Sequence, residues 1–206
     1  MSRTEYYEQL KALARETRSR FQLDSPRVLR SDLRRIYRAE GIRIDLWPYR
    51  LKRLRGAYFN DKLGPTVMLM KGLPEDPMVF TMAHELKHHL VDRDRPFSYC
   101  DSSNESNAVE IGAEIFAAEL IYPDDNFVEH LTQMGIQPGQ CTAEILVRLK
   151  HETRTTLSYA GLAKRAEFMR FAPSGSLSGV KWKKIEEHLY GPPIYKTLLE
   201  RRRKWR

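Results

Sequence analysis

One stretch near the middle of the chain combines an apolar helix pattern with a row of ionisable side chains. It reads Phe80-Thr81-Met82-Ala83-His84-Glu85-Leu86-Lys87-His88-His89-Leu90-Val91. His84 and His88 are four residues apart, about one turn of an α-helix, so this spacing places both imidazoles on one face. Two imidazoles so placed can bind one zinc ion at about 2.0–2.1 Å each. Glu85 lies about 100° further round the helix, where its carboxylate could take the proton of an attacking water.

The alternative for this stretch is a polar helix face with two unrelated histidines, because His-Glu-x-x-His is short enough to occur by chance. The neighbouring side chains argue against it, since Val79, Phe80, Met82, Ala83, Leu86, Leu90 and Val91 are all apolar. Ionisable groups inside such a helix are costly unless they are paired or metal-bound. We therefore predict a metal site that holds one Zn²⁺ per chain.

Length and composition indicate a globular protein. The chain has 206 residues, of which 41% are hydrophobic and 30% are charged, and no apolar run approaches the roughly 20 residues of a membrane span. The N-terminus has no apolar segment of a secretory signal. Cys100 and Cys141 are the two cysteines of the sequence, and we expect them to be free thiols. These features together predict a cytoplasmic protein that has no membrane partner.

The net charge of +8 conceals a segregation along the chain. Residues 56–137 carry 5 basic and 14 acidic residues, and these include the histidine motif. Residues 1–55 carry 15 basic and 7 acidic residues, and residues 138–206 carry 15 and 6. The basic flanks could contact nucleic acid or an acidic partner, or could simply be a solvated surface. Charge alone does not favour direct nucleic-acid binding.

The segment before the motif predicts two helices followed by three strands. Periodicity and turn residues place them at 4–21, 26–40, 42–46, 56–59 and 66–70. The turn residues at 60–65 suit a hairpin, so we expect a small antiparallel sheet. Asp76 should cap the motif helix, with Pro77 at its first position.

The segment after the motif predicts a polar loop at 92–104 and then a helix at 105–122. Small residues on this second helix allow another helix to approach closely. Glu110 and Glu114 share one face of it, and a carboxylate on that face could complete the zinc site. The alternative is a set of solvated glutamates on an amphipathic helix.

The remainder predicts a helix from about residue 124, two short helices at 142–150 and 158–170, a flexible linker and a basic tail. The predicted fold class is α+β. It is mostly helical, with a three-stranded antiparallel sheet packed on the His-Glu-x-x-His helix and further helices at the C-terminus. The predicted domains are a domain at 1–138 that contains the predicted metal site, a small helix-turn-helix-like unit at 139–170, and a linker with the tail at 171–206.

Two motifs of this sequence resemble the ImmA/IrrE family of metallopeptidases. Residues 80–88 are similar to the family pattern F-x-x-A-H-E-L-G-H. Residues 110–123 are similar to E-x-x-A-N-x-F-A-A-x-L-L-M-P. A weaker likeness covers Leu157, Ser158, Gly161, Leu162 and Arg165. The resemblance implies a zincin-like fold in which His84, His88 and Glu110 bind zinc and Glu85 is the catalytic glutamate.

Two departures from the family pattern bear on the site. Lys87 replaces a glycine, which puts a long cation beside the site, and Glu114 replaces an asparagine. Two imidazoles and two carboxylates would close a zinc site and leave no position for a water. We therefore expect Glu110 alone to be the third ligand. Glu114 should accept a hydrogen bond from a ring N–H of His84 or His88, or pair with Lys87.

The resemblance implies an intracellular zinc endopeptidase that cleaves a specific protein, such as a helix-turn-helix repressor or an antitoxin of a mobile element, and so releases transcription. The alternative is a non-proteolytic, metal-stabilised regulator that binds DNA or a protein partner. Catalysis would also need an oxyanion donor, for which the candidates are Tyr99, Tyr122, Tyr159 and His151. We expect His89 and His130 to be structural or surface residues.

Overall fold

The computed structural model describes residues 2–49, 55–93, 97–99 and 108–193. Within these ranges the chain forms eight helices and four strands, which confirms the predicted α+β class. In chain order they are α1 (Arg3–Arg20), α2 (Arg30–Ala39), β1 (Arg43–Trp47), β2 (Gly56–Asp61), β3 (Gly64–Met70), α3 (Glu75–Val91), β4 (Phe97–Tyr99), α4 (Ala108–Ile121), α5 (Asp124–Gln133), α6 (Ala143–Thr153), α7 (Tyr159–Phe168) and α8 (Trp182–Tyr190).

The sheet is mixed, with the strand order β1-β3-β2-β4. The predicted hairpin is present, since β2 and β3 pair antiparallel with Tyr58 opposite Val67. However, β1 pairs parallel with β3, with Ile44 opposite Val67, so the predicted three-stranded antiparallel sheet is wrong. The alternation in β1 indicates a strand but carries no information about its partner or its direction, and in the fold β1 occupies the edge of β3 that β2 leaves free.

A fourth strand, β4, lies within the segment that was predicted to be a polar loop. It pairs antiparallel with β2, with Phe97 opposite Phe59 and Tyr99 opposite Ala57. The loop prediction is therefore wrong for Phe97–Tyr99, because three residues are too short to show a strand period in a sequence. Its parts at 94–96 and 100–104 lie outside the described residues.

Two helix starts differ from the prediction. α3 begins at Glu75 with Pro74 as its N-cap, so Asp76 is not the cap, and Pro77 lies within the first turn. A proline is tolerated there because the first N–H groups of a helix have no intrahelical partner. α2 begins at residue 30, four residues later than expected, where the Leu29 N–H donates to Asp32 Oδ2 at 2.8 Å.

The motif helix α3 is the centre of the core. It packs against β2, β3, α2 and α4, and every residue from Thr81 to His89 is buried. Val79, Met82 and Leu86 have no exposed surface. The Tyr37 hydroxyl of α2 donates to the Met82 carbonyl at 2.7 Å. The apolar neighbours of the histidines therefore bury the helix all round, and the prediction that it is not a solvated helix is confirmed.

The small residues of α4 admit a neighbouring helix, as predicted. α4 packs between α1 and α3, and α1 comes closest at Gly112. A Cβ atom at Gly112 would lie 2.7 Å from Leu10 Cδ1 and 3.0 Å from Tyr6 Cε1. A larger residue would push α1 away from α4, because that spacing is inside van der Waals contact.

The chain divides into two compact units. One comprises Met1–Val128 with Thr153–Ser158, and the other comprises Glu129–Glu152 with Tyr159–Arg206. The short return segment belongs to the first unit, where Thr156 Oγ1 donates to the Val28 carbonyl at 2.8 Å. The predicted domain boundaries at 138 and 170 remain a prediction. Among the described residues, every helix is too short or too polar to cross a membrane.

Candidate metal centre

Three side chains from two helices converge at the contact between α3 and α4. His84 Nε2 and His88 Nε2 lie 3.3 Å apart. Glu110, in the first turn of α4, places Oε2 3.2 Å from His84 Nε2 and Oε1 3.7 Å from His88 Nε2. One ligand atom from each of the three residues lies within 4.8 Å of the other two. The structure therefore brings together the three residues that were predicted to bind zinc.

This donor set fits Zn²⁺. Two ligand atoms at about 2.0–2.1 Å from an ion with tetrahedral geometry are roughly 3.3–3.4 Å apart. The separations among His84, His88 and Glu110 are close to that value. Two imidazoles with one carboxylate are a zinc donor set that leaves a fourth position for a water or substrate. These residues could therefore hold a catalytic rather than a closed structural ion.

The electrostatic environment of the histidines favours a cation. Burial alone would lower the pKa of His84, but the hydrogen bond with Glu110 and the charges of Glu85, Glu110 and Glu114 raise it. Three carboxylates thus act on the buried imidazole with their negative charge. A positive ion gains from the same field that stabilises the protonated ring.

Glu85 directly follows His84, its charge helps to raise the pKa of that histidine, and it is only 1% exposed. It packs against β2 at Gly56, where a Cβ atom would lie 3.0 Å from Glu85 Oε1 and 2.5 Å from Thr81 Cγ2. The absence of a side chain at Gly56 therefore gives Glu85 its place between α3 and the sheet. The charge of Glu85 also acts on Tyr37, whose pKa is raised first by burial and then by this carboxylate.

Asp92, directly after α3, is a site residue that the sequence analysis missed. Its Oδ2 accepts hydrogen bonds from His88 Nδ1 at 2.8 Å and from Lys87 Nζ at 2.6 Å. Burial would raise the pKa of Asp92, but these two hydrogen bonds hold it below its ordinary value. A proton on His88 Nδ1 leaves Nε2 free to bind a metal. The available signal was the i,i+4 spacing from His88 to Asp92.

The two departures from the family pattern lie in different surroundings. Lys87 is fully buried and donates to Asp92 and to the Val109 carbonyl at 3.1 Å. Glu114 is exposed, and its charge contributes to the raised pKa of His84. Its hydrogen bond with a histidine ring remains a prediction.

The other candidate residues have contacts that fit structural roles. His89 Nδ1 lies 3.1 Å from the Tyr58 hydroxyl, and Tyr122 is buried edge-on against Phe127. In the second unit, the rings of Tyr159 and His151 stack on Trp182 and Tyr190 respectively. Tyr99 pairs through its backbone with Ala57, one residue from Gly56. The oxyanion donor remains a prediction among these candidates.

Comparison with known proteins identifies one family. Residues 38–156 match the family Peptidase_M78, described as the IrrE N-terminal-like domain, and they make up more than half of the chain. The matched range begins in α2 and ends in the return segment at Thr156, so it contains every residue of the candidate metal centre. A search of curated proteins finds no match.

Proposed function

The chain belongs to the IrrE N-terminal-like family of peptidases, and from that premise we propose that it is a zinc-dependent endopeptidase. One observation carries the proposal. The ligand atoms of His84, His88 and Glu110 meet at separations that suit one zinc ion, and the buried Glu85, which directly follows His84, acts on that histidine through its charge. A purely structural zinc site would not require Glu85.

The chain's own residues divide the chemistry between them. Zinc held by the two histidines and Glu110 would supply Lewis acidity, which polarises a carbonyl and makes a water more acidic. Glu85 takes the proton of the attacking water and then delivers it to the leaving amine of the scissile bond. Its burial limits competing solvent around the carboxylate. Asp92 fixes the tautomer of His88 by accepting a hydrogen bond from its Nδ1–H.

The proposed substrate is a specific protein inside the cell, namely a helix-turn-helix repressor or an antitoxin encoded on the same mobile element. The motif likeness to the ImmA/IrrE family supports this substrate class. The charge pattern is compatible with it, because basic flanks on both sides of an acidic catalytic segment suit a partner that lies on DNA. Cleavage of such a repressor releases transcription of the genes that it blocks.

A competing proposal is a metal-stabilised regulator that binds DNA through α6 and α7. In a helix-turn-helix, the N-terminal residues of the second helix contact base edges. Here the first residue of α7, Tyr159, stacks on Trp182 of α8 at 5.2 Å between ring centroids, and its hydroxyl donates to Glu186 at 2.9 Å. The start of α7, which would have to contact the bases, is therefore in contact with α8. This contact favours the peptidase proposal over the DNA-binding proposal.

The decisive test is a cleavage assay with the helix-turn-helix protein encoded beside the gene of this chain. The zinc-loaded chain should yield two defined fragments by mass spectrometry, and a chelator should abolish them until zinc is restored. The matched control is Glu85→Gln, which keeps the shape of the side chain but cannot take a proton. Equal fragmentation by native and Glu85→Gln protein would refute the proposed role of Glu85.

A further inference from the structure

Lys87 is the lysine of the motif, and it has no exposed surface. Its Nζ contacts three elements of the first unit. It donates to Asp92 Oδ2 at 2.6 Å, beyond the end of α3, and to the Val109 carbonyl of α4 at 3.1 Å. It also lies 5.8 Å from the centre of the Tyr6 ring of α1. Burying an ammonium is costly unless other groups compensate its charge and satisfy its hydrogen bonds. The partners of Lys87 therefore show which groups this side chain holds in place.

Each hydrogen-bond partner of Lys87 is directly connected to a candidate metal ligand, one by a hydrogen bond and the other by a peptide bond. Asp92 Oδ2 is the same oxygen that accepts the hydrogen bond of His88 Nδ1. Val109 directly precedes Glu110, so its carbonyl belongs to the turn that presents the third ligand. The Lys87 ammonium therefore restrains two groups. One is Asp92, the hydrogen-bond partner of His88, and the other is the α4 backbone beside Glu110. A lysine that served only to bridge the two helices would not need to share an oxygen with His88.

We propose that Lys87 is a positioning residue of the metal centre, which holds Asp92 on His88 Nδ1 and fixes the first turn of α4 beneath Glu110. The hydrogen bonds of Lys87 go to Asp92 and to the Val109 carbonyl, and not to the ligand atoms themselves. This inference rests on the proposed function, because it concerns the ion that His84, His88 and Glu110 would bind. It adds a residue of this chain that stands where the family pattern has glycine.

The test compares zinc affinity with stability in four single variants of the full chain. Lys87→Met keeps most of the side-chain volume and removes the ammonium, and Asp92→Asn keeps the shape of the carboxylate. Arg18→Met is the structural control, because Arg18 is also a buried cation and donates to the Leu120 and Ile121 carbonyls at the other end of α4. Lys71→Met removes one exposed positive charge. Zinc dissociation constants come from competition with a chromophoric chelator, and melting temperatures are measured on the zinc-free proteins.

Lys87→Met and Asp92→Asn should each raise the zinc dissociation constant by about 10–100-fold, the range typical of outer-shell partners. The Lys87→Met/Asp92→Asn double variant should bind zinc about as weakly as the weaker single variant, because Lys87 acts largely through Asp92. The cobalt(II) absorption spectrum of Lys87→Met should also differ from that of the native protein. Arg18→Met should lower the melting temperature and leave the zinc dissociation constant and the cobalt spectrum unchanged, and Lys71→Met should change none of these quantities.

The inference is overturned if Lys87→Met loses stability as Arg18→Met does but binds zinc with native affinity. If Lys87→Met does not fold, Lys87→Gln takes its place, since it retains a donor for one acceptor and should weaken zinc binding in the same direction. Native zinc affinity in that variant would equally overturn the inference. A native chain that binds zinc but cleaves nothing defeats the proposed function alone, and one that binds no zinc defeats both.

Discussion

His84 and His88 direct their Nε2 atoms at the same point, 3.3 Å apart, from consecutive turns of one buried helix. Their ring centroids are 5.1 Å apart and their ring planes are inclined at 59°. The two Nε2 atoms therefore converge, although the rings do not stack. His88 is held in this orientation by Asp92 on its other nitrogen. The pair is thus arranged so that both imidazoles could bind one metal ion.

Glu85→Gln should separate metal binding from catalysis. The amide has nearly the shape of the carboxylate but cannot take a proton from water. The rate of hydrolysis should therefore fall by about 10²–10⁴-fold, the usual contribution of a general base. Zinc content and melting temperature should stay near the native values. Initial cleavage rates and metal analysis on the same preparation measure both quantities. Loss of zinc in Glu85→Gln would show instead that Glu85 is a ligand.

The two glutamates of α4 should differ sharply in their effect on zinc. Glu110 has its oxygens 3.2 and 3.7 Å from the histidine nitrogens, whereas Glu114 is exposed. Glu110→Ala should therefore abolish tight zinc binding. Glu114→Ala should weaken affinity or activity by about 10–100-fold at most. Isothermal titration with zinc measures both variants, and the reverse order of effects would mean that Glu114 is the ligand.

Gly56→Ala should destabilise the protein and impair catalysis through two separate contacts. The new Cβ would lie 2.5 Å from Thr81 Cγ2 and 3.0 Å from Glu85 Oε1, and overpacking of this kind typically costs about 1–3 kcal/mol. Denaturant unfolding measures the stability, and the cleavage assay measures the effect on Glu85.

A double-mutant cycle separates the two contacts of Gly56→Ala. Thr81→Ser removes Cγ2, so in a Thr81→Ser background the further change Gly56→Ala should cost much less stability. Activity should remain low in the double variant, because the contact with Glu85 persists. If Gly56→Ala is as stable and active as the native chain, Gly56 does not determine the place of Glu85.

The histidine pair of the candidate site could be anticipated from the sequence, because it depends on spacing within one helix. A separation of four residues puts His84 and His88 on one face whatever the rest of the fold. Glu110 was assigned from a motif that covers one helical segment. In the structure these three residues lie together, which is the outcome that spacing and motif predict.

The sheet order and the role of Asp92 could not be read from the sequence, because both depend on tertiary packing. The pattern of β1 shows a strand but does not show which edge it joins, and in the structure it pairs with β3 rather than β2. Asp92 appeared as the first residue of a polar loop. Its importance comes from the end of α3, which brings its carboxylate to His88 and Lys87.

Cys141 should be unreactive in the folded protein. It is a free thiol that is 3% exposed, and burial raises its pKa to about 11. The reactive thiolate is therefore scarce at pH 8, and access to the sulfur is blocked. Alkylation followed by peptide mapping should label Cys141 far more slowly in buffer than in denaturant. Equal rates in the two conditions would contradict the buried position of this thiol.

The metal content of the purified chain tests the central claim most directly. After exposure to zinc at neutral pH and removal of free metal, elemental analysis should find about one zinc per chain, as expected for a single site of three protein ligands. His84→Ala and His88→Ala should lose it, while His188→Ala, which removes an exposed imidazole from α8, should retain it. A native chain that carries no zinc or other transition metal under these conditions would contradict the proposed metal centre and the peptidase activity that depends on it.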